Sequence, residues 1–376
     1  MLQKIYVNVT NCRAFRNAVS ILAIVIACAV FQVETAFCQQ PSPTPTVAST
    51  KKNETTAATR IKRWFEFDAF TLLTRYRVIR NNRGQTTNNQ QQFQVNARAH
   101  FNFDKKGRYR INAGLFTGNS ITAGWDNTGL GTGKPLTNLY LKQLYFSAKP
   151  VTEVEVQFGG IGMNNGENTE ITGYDNDVYM MGERVTVRAP KHLYFDEVSV
   201  ANGFVGDVNK PSVFKRFKRL NESNYHQFLV RKQVNKYVSF SADYTFESGK
   251  DTLHQAVKFK LPKSKPLDMI LFENYQRVNP DTGYGFALYG EKALHKKFTL
   301  GGGFARIDKP SFNADRFPPG KRLFVNSVLK ISREFTLTGF LIQGVGSLPS
   351  PTSNRTRFDL ILNYNFLETL KRLKVQ

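Results

Sequence analysis

No cysteine stands beyond residue 38; the chain's three are Cys12, Cys28 and Cys38. A disulfide framework, a thiolate metal site or a cysteine nucleophile in the remainder is thereby excluded. Long apolar runs are scarce too. The longest, Ala18 to Phe31, has about 14 residues, fewer than the ~20 that a helix needs to cross a bilayer. Acidic residues number 29 against 52 lysines and arginines, a formal net charge of +23. That imbalance suits an anionic partner. Histidines are few, and neither Ser239 nor Ser241 sits in a Gly-x-Ser-x-Gly context, so no nucleophile pattern emerges. Gly301-Gly302-Gly303 lies inside a strand pattern with no helix after it; it is not a phosphate cradle, and no cofactor is expected.

What is present begins with an export signature. Lys4, Arg13 and Arg16 precede the apolar stretch, and Ala36-Phe37-Cys38 puts small residues at the two positions a signal peptidase reads. Residues 1–38 are expected to be a cleaved signal peptide. The exported remainder then carries 49 basic and 28 acidic residues, a formal +21 over 338 positions. Export argues against nucleic acid as the partner and leaves lipopolysaccharide or small anionic solutes. Residues 39–62 are rich in Pro, Ser, Thr, Ala, Asn and Lys. They hold too little apolar surface to order themselves and are expected to form a disordered periplasmic tail.

Beyond the tail the pattern has a period of two. In Gln92 to Asp104, Phe93, Val95, Ala97, Ala99, Phe101 and Phe103 share one side, and Gln94, Asn96, Arg98, His100 and Asn102 the other. Val238, Phe240, Ala242, Tyr244 and Phe246 likewise oppose Ser239, Ser241, Asp243 and Thr245. The alternation predicts strands near 63–80, 91–104, 107–120, 138–148, 151–162, 181–190, 192–205 and 223–234. It predicts eight more near 236–248, 251–261, 266–277, 282–293, 297–307, 321–331, 334–346 and 354–366. Tight connections such as Lys149-Pro150 and His295-Lys296 alternate with long ones such as 121–137, 163–180 and 206–222. Outer-membrane barrels are built this way, with only alternate residues apolar. The expected fold is all-β: a transmembrane antiparallel β-barrel of about 16 strands over 63–366, with short periplasmic turns and long extracellular loops. Residues 367–376 are left as a short periplasmic tail.

The hairpin Leu139-Tyr-Leu-Lys-Gln-Leu-Tyr-Phe-Ser-Ala-Lys-Pro150, followed by Val151-Thr-Glu-Val-Glu-Val-Gln-Phe-Gly-Gly160, resembles those of phosphate-selective and alginate-export porins. The exported chain as a whole resembles the porins of Gram-negative outer membranes. The resemblance implies an outer-membrane location, contact with lipid and lipopolysaccharide, a porin-like homotrimer, and a passive diffusion pore for small polar, anionic solutes. Two other readings stay open: a non-conducting barrel for surface contact or anchoring, and an outer-membrane hydrolase. The chain departs from the porin pattern in two ways. Phe366 is followed by a basic tail, and no acidic constriction loop of the kind that folds into the lumen is evident.

On strands of clear facing, the expected pore lining is Arg98, His100, Arg108, Arg110, Arg184, Arg188, His254, Lys258, Arg322, Arg355 and Arg357. Excess positive charge in a low-dielectric wall concentrates anions. Tyr174-Asp175-Asn176-Asp177 has oxygen ligands close enough for calcium, but such loops more often make hydrogen-bonded turns, and no metal site is expected. Pro211 to Arg219 sets Lys215, Arg216, Lys218 and Arg219 around Phe214 and Phe217. A solvated loop is the expectation there, with binding of lipopolysaccharide phosphates or narrowing of the pore as the functional alternatives.

Overall fold

The structure, a computed structural model, describes residues 64–171, 178–189, 194–279, 281–309, 317–346 and 356–373. The expected signal peptide and tail therefore lie outside the described residues, as do Arg355 and Tyr174 to Asp177. The first half of the chain holds β1 (Phe65–Arg80), β2 (Thr86–Asn102), β3 (Tyr109–Thr117), β4 (Asp126–Gly131), β5 (Leu139–Val151), β6 (Val154–Gly162), β7 (Tyr179–Val187) and β8 (Glu197–Phe204). The second holds β9 (Tyr225–Gln233), β10 (Val238–Glu247), β11 (Lys250–Lys260), β12 (Met269–Asn279), β13 (Gly283–His295), β14 (Phe298–Ile307), β15 (Gly320–Lys330), β16 (Phe335–Val345) and β17 (Thr356–Asn365). Two short helices, α1 (Val213–Arg216) and α2 (Phe366–Arg372), accompany them.

Every strand pairs antiparallel with its neighbours, and β1 pairs with β17 from Thr71↔Asn365 to Arg80↔Thr356, so the sheet closes on itself. Sixteen strands form the ring. β4 is extra: it pairs with the outer half of β2 (Phe93↔Asp126, Gln90↔Gly131), while β3 takes the other half (Asn96↔Phe116 to Asn102↔Arg110). Each of the sixteen strands expected from alternation has a counterpart in the ring; β4 was not expected.

The alternation sorts the two faces of the wall. Leu72, Tyr76, Phe101, Phe146, Phe158, Leu288, Leu323 and Leu341 point outward and stay exposed. Arg75, Gln94, His100, Ser147, Ser241, Asp243, Glu273 and Asp359 point inward and are buried. This is a water-soluble protein turned inside out, an apolar belt around a polar interior. The inward apolar residues collect in two small clusters, one around Met180, Ala201 and Tyr225, the other around Tyr275, Ala305 and Phe324.

The connections make the ends unequal. One end has tight turns such as Lys296-Lys297; the other carries the long segments between β3 and β5, β6 and β7, and β8 and β9. Three of these do not behave as free loops. Residues 163–171, after β6, fold into the barrel, an inward loop that was not evident in the sequence. Residues 118–125 also turn inward, tied down by Lys142, whose Nζ donates to the carbonyls of Ser120 and Ala123, each at 2.8 Å. The expected solvated loop at 211–219 is instead α1 plus a turn of 3₁₀ helix, docked on the outward flank. A Cβ at Gly160 would collide with Val213, and buried Arg216 donates to the carbonyls of Lys142 (2.9 Å) and Tyr179 (3.3 Å). Lys142 is the extra residue where the β3–β5 register shifts, so its carbonyl is released from the ladder to accept that bond.

At the other end α2 begins where β17 stops. The Asn365 side chain accepts from Leu367 N at 3.2 Å, capping the helix, and Phe366 lies 4.9 Å from Phe70 of β1. Arg372 reaches Glu334 in the β15–β16 turn at 3.0 Å. The basic tail, which the sequence allows to form a helix, does so over Phe366–Arg372 and is joined to the end of the barrel.

Candidate functional site: the lumen wall

The inner wall formed by β17, β1 and β2 carries a dense positive charge. Because Leu72 and Tyr76 face out, Thr71, Leu73, Arg75 and Arg77 face in, and the register sets Arg77 opposite Asp359. The Asp359 carboxylate accepts from Arg77 Nε at 2.7 Å and Nη2 at 2.8 Å, and from Arg357 Nη2 at 2.6 Å, with Arg75 Nη1 4.0 Å away. A buried carboxylate costs several kcal/mol of desolvation unless paired. Here it is paired three times over, which leaves a positive surplus. Arg75 is also held by Gln92 Oε1 at 2.9 Å, and its guanidinium lies 3.9 Å from the centre of the Trp125 ring, brought there by the inward-turned segment 118–125. A cavity of about 580 Å³ opens against this wall, bordered by Arg75, Arg77, Gln94, Asn96, Asn363 and Trp125.

Residues 163–171 occupy the opposite side. Asn164 accepts from Arg231 of β9 at 3.0 Å, and Glu167 N donates to Ser241 Oγ of β10 at 2.8 Å. The Glu167 carboxylate meets Lys258 of β11 at 3.0 Å, and Thr169 N donates to Glu273 of β12 at 2.9 Å. Ile171 then enters the apolar cluster of Tyr275, Ala287, Ala305 and Phe324. The segment therefore runs along β9 to β12 and does not reach the arginine strip, part of which is covered by Trp125 instead.

The remaining expected lining residues divide by what they touch. His100 Nδ1 lies 2.8 Å from Asp68, Arg188 joins Glu155 (3.0 Å) to Glu197 (2.8 Å), and His254 lies between Asp243 (3.1 Å) and Glu273 (3.7 Å). Each of these side chains is engaged by carboxylates. Arg184 donates to Gln157 at 3.0 Å and to the Gly162 carbonyl at 2.8 Å. Arg110 Nε donates to the Gly107 carbonyl at 2.8 Å beside the turn, and Arg98 stands 5.4 Å from the Phe116 ring. Arg108 lies in the β2–β3 turn with Asp104 at 3.4 Å, and Arg322 is buried against the carbonyls of Pro318 and Gly320. Neither presents its charge to the cavity; the Asp104 carboxylate engages the first and loop carbonyls the second.

The serines named in the sequence hold the inward loop: Ser241 accepts from Glu167 N, and Ser239 donates to its carboxylate at 3.2 Å. On the outward flank Ser223 donates to Asn202 Oδ1 at 2.6 Å and stands 3.4 Å from His226 Nε2. Its proton is directed at the amide and away from the imidazole, the reverse of what a general base needs. Among the described residues no group of three or more His, Cys, Asp or Glu converges as a metal site.

No family model and no curated protein matches the chain by sequence. Solved structures match by shape. Pseudomonas putida OprB, in a low-pH structure, superposes with TM-score 0.50 at 12% identity, over 83% of this chain and 96% of its own. A variant of the Rhodopseudomonas blastica porin gives 0.50 at 11%, over 80% and 100%. An engineered protein described for asymmetric conductivity gives 0.52 at 12%, over the same shares. The fold is that of the porins.

Within this porin-type barrel, sequence reasoning missed Arg75, Arg77, Arg231, Lys142 and Trp125. For the first two a signal existed, since Tyr76 and Val78 alternate with Arg75, Arg77 and Ile79. Apolar residues on both sides of β1 (Leu72, Leu73, Val78, Ile79) obscured it.

Proposed function

We propose that this chain is an outer-membrane pore passing small polar solutes by diffusion, with anions preferred over cations. The observation that carries the reading is the arginine strip on β17–β1–β2 that borders the cavity. It holds three arginines against one aspartate, with a cavity of about 580 Å³ beside it, while the inward loop occupies the opposite side. Sixteen strands enclose enough space for an aqueous channel. An anion entering from the long-loop end exchanges part of its hydration for the Arg75 and Arg77 guanidinium groups and the amides of Gln94, Asn96 and Asn363. Asp359 keeps this attraction from becoming a trap, because conduction needs binding weak enough to release. No energy source and no catalytic group are required.

Planar-bilayer recording under a salt gradient tests the proposal. Stepwise conductance with a zero-current potential of anion-selective sign is expected. A cation-selective sign would remove the anion preference, and silence at any salt concentration would favour a barrel used for anchoring.

A further inference from the structure

On the outward face, near the long-loop end of β12 to β15, the apolar belt is interrupted. Arg306 and Lys321 are direct cross-strand partners on β14 and β15. Both face outward, sharing their face with Phe304 and with exposed Leu323 and Val325. Like charges directly opposite each other on a sheet repel. Asp308 offsets Arg306 at 2.9 Å, and Arg306 also lies 4.8 Å from the centre of the Tyr284 ring. Lys321 has no hydrogen-bond or ion-pair partner among the described residues. The nearby lysine Lys309 is engaged by Asp281.

Asn274 and Gln276 of β12 point the same way, and their amides too are without partners among the described residues. They border an open groove of about 1000 Å³ together with Phe272, Tyr284, Phe286 and Arg306. Polar groups left unpaired against hydrocarbon are costly. A row of donors above a band of phenylalanine and leucine is complementary to an amphiphile whose headgroup is an anion.

We infer that this patch holds a phosphorylated lipid of the outer leaflet. Its phosphate lies between Lys321 and Arg306, the rest of its headgroup contacts the amides of Asn274 and Gln276, and its acyl chain lies over Phe286 and Phe304. The inference rests on the reading that the barrel sits in a bilayer, but not on its conducting anions.

The test is native mass spectrometry of the full barrel refolded in a zwitterionic detergent. The probe is phosphatidic acid, with phosphatidylcholine and inorganic phosphate as comparison arms. One phosphatidic acid is expected to stay bound after detergent removal, unaffected by inorganic phosphate, with phosphatidylcholine lost. The pair Arg306→Gln and Lys321→Gln should weaken retention by about tenfold or more, as for loss of charged hydrogen bonds. The pair Lys105→Gln and Lys106→Gln, on the β2–β3 turn at the other end, should leave retention unchanged. Equal retention by the Arg306/Lys321 variant, or equal retention of the two lipids, overturns the inference. So does displacement by inorganic phosphate, or a stable oligomer that the Arg306/Lys321 variant disrupts, since the patch would then be a subunit interface. Conductance measured on the same samples separates the readings: lipid retained by a silent barrel fails the pore proposal alone, and a conducting barrel without selective retention fails this one alone.

Discussion

Asp359 touches Arg77 and Arg357 and lies within 4.0 Å of Arg75, so its replacement acts on three cations at once. Asp359→Asn is expected to destabilise the barrel by about 3–5 kcal/mol, the scale for breaking a buried ion pair, read as a lower urea midpoint in micelles. Arg77→Gln removes positive charge from the strip beside the cavity; the zero-current potential should move toward zero while the urea midpoint falls less than for Asp359→Asn. A separate pair tests the facing of β2. Ala97 shares the outward face with Phe101, whereas Asn96 borders the cavity. Arginine at Ala97 should cost up to about 2–4 kcal/mol, depending on its depth, and arginine at Asn96 much less. Equal tolerance would mean that the faces are reversed. These facings were legible because alternation is local, one residue against the next.

At the scale of elements, the inward segment 163–171 was invisible in the sequence. Met163-Asn-Asn-Gly-Glu-Asn-Thr-Glu-Ile171 reads as any polar connection. Its position is set by partners far along the chain: Ser241, Lys258 and Glu273. β4 was missed for a related reason: Asp-Asn-Thr-Gly-Leu-Gly has no alternation, and Gly129 and Gly131 adopt positive φ. Releasing the loop with Thr169→Val and Lys258→Gln should raise single-channel conductance and its fluctuation; unchanged conductance would mean that the segment does not limit the pore. The β8–β9 connection offers a pH test. Hydrogen bonds from Arg219 and then Lys210 hold the Asp207 carboxyl down at about 2. A folded-state value below the unfolded one contributes stability above about pH 4, which is lost as pH falls toward 2. Hydrogen exchange over 205–222 should therefore accelerate across that window, and Asp207→Asn should abolish the pH dependence. Gly301 lies under the Tyr289 ring, where a Cβ would collide with the phenol. Gly301→Val should lower stability by about 1–3 kcal/mol by overpacking, measured by the same urea titration.

At the scale of the whole molecule, strand number, strand order and the inequality of the two ends could be read from the chain, because a barrel repeats one simple unit. What could not be read was which parts of the loop end fold inward, which lie along the flank, and where the positive surplus falls. Those depend on contacts between different strands and loops, some far apart in sequence, such as Arg216 with Lys142 and Thr169 with Glu273. The pairing of β1 with β17 has a further consequence, for biogenesis. Thr71 finds its partner only when Asn365 has been made, so the first strand emerges with an unsatisfied edge and keeps it until the last strand arrives. Closing so long a chain is slow, and exposed edges invite association with other chains in the meantime. A chain stopped before residue 356 would keep both edges open for good and should accumulate as aggregate, however well its other strands pair.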